Sequence, residues 1–105
     1  MDDFEFDLYN EEIIEKLDKI EAGLSGLTGQ NVTSKKKKLT RYEHTLVSLN
    51  LQIEEYDMEV NMISGGNDAQ KEEQAKHVQN LKTLKRRKME IRQKINNARL
   101  DISPG

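Results

Sequence analysis

Between residues 39 and 63, apolar or aromatic side chains fall at Leu39, Tyr42, Leu46, Leu49, Ile53, Tyr56, Val60 and Ile63, alternating three and four residues apart without a break. Only a helix gathers that spacing onto one stripe, because 3.6 residues per turn return each position to the same side. The seam predicts a helix over about residues 35 to 64, a rod of roughly 45 Å. Val47, Leu51, Met58 and Met62 stand beside the seam and are expected to widen it towards a second neighbour. That favours a bundle over a two-stranded coiled coil.

Glycine supplies the punctuation. Gly23, Gly26 and Gly29 form one cluster and Gly65-Gly66 another, while the single proline, Pro104, lies next to the end, so no proline interrupts a long helix. The first segment, about residues 7 to 25, repeats the period at Phe6, Ile13, Leu17, Ile20, Leu24 and Leu27, with Asn10 in a place where an apolar residue is expected. The third, about 68 to 102, carries Leu81, Leu84, Ile91, Ile95, Ala98 and Ile102, flanked by Val78 and Met89 and interrupted by Lys88. Asn67 or Asp68 suits its N-cap, and Glu72 and Glu73 suit the positive end of its dipole. Short connections, about Gly26 to Thr33 and a turn at Gly65-Gly66-Asn67, place consecutive helices side by side. The expected fold is all-α: one domain over residues 1–105, an antiparallel up-down-up three-helix bundle with left-handed, coiled-coil-like packing. Its core seam comprises Leu17, Ile20, Leu46, Leu49, Ile53, Tyr56, Val60, Leu81, Leu84, Ile91 and Ile95.

A hydrophobic fraction of 34% within 105 residues suffices for such narrow stripes but not for sheets buried on both faces, and it argues against a large enzyme cleft. There is no cysteine, hence no disulfide, thiolate nucleophile or Cys-based zinc site. The N-terminus is acidic where a signal peptide is basic, and no apolar run approaches membrane-spanning length, so the chain reads as soluble. Charge is segregated along the chain. Residues 1–31 hold nine acids and two bases, residues 32–66 five of each, and residues 67–105 five acids and ten bases. Two readings follow: opposite charges on the flanks of the first and third helices fix which helix packs where, or Lys82, Lys85, Arg86, Arg87, Lys88, Arg92 and Lys94 form a basic face for an acidic partner, a lipid headgroup or nucleic acid. Nucleic acid is disfavoured, because no aromatic residue follows Tyr56 to stack on a base. Lys35 to Lys38 read as a solvated loop ahead of the second helix, where the dipole disfavours cations.

No catalytic constellation is present. His44 and His77 lie on different helices without a second ligand at helical spacing; His44 is expected to be exposed and His77 partly buried near a helix end. None of the serines has a nucleophile-elbow setting and no glycine-rich phosphate loop exists. Tyr42 and Tyr56 are expected in the core with their hydroxyls at its rim. No catalytic residue, metal site, cofactor or small-molecule substrate is expected.

Leu51-Gln52-Ile53-Glu54-Glu55-Tyr56-Asp57-Met58-Glu59-Val60, followed by Gly66-Asn67-Asp68-Ala69 and a basic third helix, resembles the N-terminal region of Qb-type SNARE proteins, in the branch of vesicle-transport v-SNAREs and novel plant SNAREs. The pattern spans most of residues 8 to 100, with the identities concentrated in 51 to 69. The resemblance implies a Habc-type bundle ahead of a SNARE motif and a C-terminal membrane anchor, neither of which this chain contains. Tyr56 and Val60 match family core positions; Asp57 and Glu59 match surface positions. It also implies a regulatory role in vesicle trafficking and membrane fusion on the cytoplasmic face of Golgi or endosomal membranes. Partners would be adaptor domains of the epsin type, other SNAREs, or the protein's own SNARE motif. The expected binding surface is Lys82, Lys85, Arg86 and Arg92, and the isolated domain is expected to be a monomer. Two other readings remain open: a coiled-coil scaffold that self-associates through residues 39 to 63, and a basic-helix module for anionic membranes or nucleic acid.

Overall fold

The computed structural model describes residues 4–63 and 66–102, which form three helices: α1 (Phe6–Ser25), α2 (Val32–Asn61) and α3 (Asp68–Ile102). Ser64 and Gly65, at the expected end of the second helix and in the turn after it, lie outside the described residues. Each helix packs against both others, in a slender body of 57 × 23 × 17 Å.

Side-chain bonds between the helices set their directions. From α1 to α3, Asp7 meets Lys76, Asp18 meets Arg87 and Glu21 meets Lys94, so the two run parallel. From α2 to α3, Asp57 meets Lys85 and Glu43 meets Arg99, so these run antiparallel. The chain is an up-down-up three-helix bundle.

The helix ends are built by short polar side chains. Asn31 caps α2 by accepting the Ser34 N–H at 2.8 Å, which satisfies one of the amides left open at a helix start. This cap starts α2 at Val32, so Lys35 to Lys38 lie within its first turns rather than in a loop. Asn67 does the same for α3, accepting from Gln70 at 2.8 Å. Gln74 donates back to the Val60 carbonyl at 3.1 Å, closing the end of α2. Gly29, with φ +87°, makes the left-handed turn in the α1–α2 connection that a side chain would strain.

The core contains Ile13, Leu17 and Ile20 from α1, Leu27 from the connection, Leu39, Leu46, Leu49, Ile53, Tyr56 and Val60 from α2, and Leu81, Leu84, Ile91 and Ile95 from α3, all buried. Two expectations need correction. Val47, Leu51, Met58 and Met62 do not widen the seam: they are 65%, 63%, 65% and 71% exposed. Polar side chains occupy the edges instead, with Lys16 bonded to Gln52 at 3.0 Å and Lys88 to Asn50. His77 is completely buried. Its Nδ1 lies 2.7 Å from the Tyr56 hydroxyl and its Nε2 lies 3.0 Å from Glu73. A tautomer with hydrogen on Nε2 satisfies both, since Nε2–H then donates to Glu73 and the Tyr56 O–H donates to Nδ1. Asn80 donates to the Tyr56 oxygen at 3.4 Å, and the Phe6 ring stacks on the imidazole at 4.9 Å. The Tyr56 hydroxyl is therefore inside the core rather than at its rim, and burial pushes its pKa up.

Candidate partner-binding surface

The seam faces inward, and five of the ten bases in residues 67–105 are ion-paired within the bundle. On the side towards α1, Lys76 donates to Asp7 at 3.0 Å. Arg87 bridges Asp18, at 2.7 Å, and Glu21, and Lys94 reaches the same Glu21 at 3.3 Å. On the side towards α2, Lys85 donates to Asp57 at 2.8 Å. Arg99 grips Glu43 with two bonds of 2.6 and 2.9 Å and also reaches Thr40. The Arg87 and Arg99 bonds hold the carboxyls of Glu21 and Glu43 below their usual range, and Lys76 does the same for Asp7. Acids of α1 and α2 paired with bases of α3 thus tie both helices to α3.

Of the expected surface residues, Lys85 is occupied by Asp57. Lys82, Arg86 and Arg92 are exposed and make no ion pair among the described residues. Lys82 and Arg86 stand one turn apart on the outside of α3. Arg92 turns instead towards α2, at the mouth of a cavity of about 300 Å³ between the two helices. Its floor is Leu46 and Ile95; its walls are Val47, Glu43, Asn50, Lys88, Arg92 and Asn96. An apolar floor ringed by two cations, two amides and the Arg99-paired Glu43 carboxylate suits an inserted apolar side chain flanked by an acid or a hydrogen-bonding backbone. Sequence reasoning missed Glu43, Asn50 and Asn96, which become a site only when α2 and α3 are set side by side. The one signal available was their position beside the seam: Asn50 follows buried Leu49, Asn96 follows buried Ile95, and Glu43 follows partly buried Tyr42.

Among the described residues no group of three or more His, Cys, Asp or Glu side chains is placed to hold a metal ion, and no helix is long and apolar enough to cross a membrane. The sequence matches the family model of the vesicle transport v-SNARE protein N-terminus over residues 1–99. The chain belongs to that family. No curated protein and no solved structure matches it. Membership places this three-helix domain in vesicle transport, in a family of trafficking rather than catalytic proteins.

Proposed function

We propose that this v-SNARE N-terminal domain is a non-catalytic recognition module that regulates membrane fusion by holding trafficking partners, either adaptor domains or SNARE helices, including the SNARE motif of its own protein. In the full-length protein it works on the cytoplasmic face of Golgi or endosomal membranes. Partners dock on α3 and its groove with α2: Lys82, Arg86 and Arg92 attract acidic groups, and the Leu46–Ile95 floor takes an apolar anchor. The observation that carries this reading is the division among the bases of α3. Arg87, Arg99, Lys85, Lys76 and Lys94 are paired within the bundle, while these three are exposed and unpaired among the described residues. Unpaired surface charge steers association and selects partners without adding to the stability of the fold.

The test is a pulldown of an epsin-type adaptor domain and of SNARE helices with K82E/R86E/R92E. Recovery is expected to be abolished while the helical circular dichroism is unchanged. Unchanged recovery of both would refute the assignment.

A further inference from the structure

α2 carries a second stripe opposite its buried seam. Exposed Val47, Leu51, Met58 and Met62 fall within about a sixth of a turn of one another at 100° per residue. Exposed Thr40 and His44 continue the stripe towards the N-terminus. Its flanks change sign along the helix: Lys36, Lys37 and Arg41 precede residue 42, and Glu43, Glu54, Glu55 and Glu59 follow it. Lys36 and Lys37 bracket the stripe near the start of α2, and Glu54 and Glu55 bracket it eighteen residues later. Eighteen residues are five full turns, so the lysines and the glutamates share the same two flanks.

All four are exposed. The lysines sit at the positive end of the helix dipole, with no acid in the first turn to offset them, and among the described residues neither makes an ion pair. Among the described residues Glu54 accepts only a 3.4 Å bond from Asn50 and Glu55 a 2.9 Å bond from the Tyr9 hydroxyl, and neither carboxylate meets a cation there.

We propose that this face pairs with the same face of a second copy of this chain, antiparallel, about a two-fold axis crossing α2 between His44 and Val47. A parallel pair would set Lys36 and Lys37 against their own copies. A two-fold antiparallel pair keeps each flank on its own side and reverses the order, so Lys36 meets Glu54 and Lys37 meets Glu55 of the second copy, and symmetry repeats both contacts. The same register centres Val47 and His44 of both copies and lays Leu51 over Thr40. The expectation of a monomer rested on spending the seam inside the chain and on counting Val47 and Leu51 as covered there; the seam is spent, but those two are not covered. One helix pair of this length buries roughly 1,000 Å², the low end for a specific contact, so the dimer is weak, with Kd in the range of about 10 to 100 µM.

Sedimentation equilibrium from about 10 µM to about 1 mM spans that range. The wild-type domain should pass from monomer to dimer, K36E/K37E and E54K/E55K should each weaken association at least about tenfold, and the four changes combined should restore it. The chain has no cysteine, so single cysteines report the register. Val47→Cys brings two thiols together at the two-fold and cross-links, whereas Leu51→Cys places them roughly 16 Å apart along the axis and does not. A monomer at all concentrations, charge swaps without effect, no restoration in the combined variant, or equal cross-linking at both positions would each overturn the proposal. Val47 belongs to both faces, but none of the four swapped residues lines the α2–α3 groove, so the charge-swap result is distinguishable from that of the partner pulldown.

Discussion

Removing the Tyr56 hydroxyl tests whether the buried Tyr56–His77 network positions the end of the bundle. Tyr56→Phe keeps the ring and its packing against Phe4, Phe6 and Tyr9 and deletes one atom that donates to His77 Nδ1 at 2.7 Å and accepts from Asn80. The lost bond contributes about 1 kcal/mol, and a fully unpaired imidazole nitrogen would add about 1 to 3 kcal/mol. Asn80 Nδ2 already lies 3.5 Å from His77 Nδ1, close enough to replace part of the donation, which holds the total near 1.5 kcal/mol. For a domain of this size that lowers Tm by about 7 °C. The paired change Tyr56→Phe with His77→Phe removes donor and acceptor together, leaving no orphaned ring nitrogen, so its cost should be smaller than the sum of the two single changes by about 1 kcal/mol. Urea unfolding followed by circular dichroism measures all three variants. A single-variant loss below about 0.5 kcal/mol, or strict additivity of the pair, would refute the network.

Gly23 sits inside α1, where alanine is ordinarily worth about 1 kcal/mol more than glycine, yet a Cβ there would lie 2.1 Å from the Tyr42 hydroxyl. Gly23→Ala should therefore destabilise by about 1 kcal/mol in thermal unfolding, and turn stabilising when Tyr42 is also changed to Leu. Asn10 holds a buried Oδ1 with no partner among the described residues, so Asn10→Leu should raise the urea midpoint by the equivalent of about 1 kcal/mol. In acid, Asp7, Glu21 and Glu43 have pKa values held below their ordinary 3.8, 4.5 and 4.5 by bonds to Lys76, Arg87 and Arg99. Depressed folded-state pKa values give stability that is fully present above the unfolded values and is lost as pH falls through the folded ones. Unfolding free energy should thus be level above about pH 5 and decline below it, and Glu21→Gln with Glu43→Gln should flatten that decline.

The seam from Leu39 to Ile63 was legible because burial on one side of a helix leaves a period that no other element produces. The outer stripe from Val47 to Met62 obeys the same period on the opposite face, and sequence alone does not say which of two apolar stripes turns inward. The start of α2 was misplaced because four lysines oppose the helix dipole; the Asn31 cap and the burial of Leu39 outweigh that cost. His77 fell on the stripe four residues before Leu81, but its full burial is matched by the Tyr56 hydroxyl, which donates to its Nδ1 from another helix. The charge asymmetry between the first and third segments was plain in the order of residues along the chain. Which base served the fold and which stayed free was not, because a side chain's flank depends on how each helix is rotated about its axis.

On the function proposed above, the paired cations of α3 hold the bundle together and the unpaired Lys82, Arg86 and Arg92 contribute nothing to its stability. Urea unfolding of K82Q/R86Q/R92Q beside R87A/R99A tests it most directly. The first variant should match the wild-type domain within about 0.5 kcal/mol, and the second should lose about 2 kcal/mol, about 1 for each network of carboxylates released. Equal losses in the two variants, or a larger loss in the first, would contradict the division.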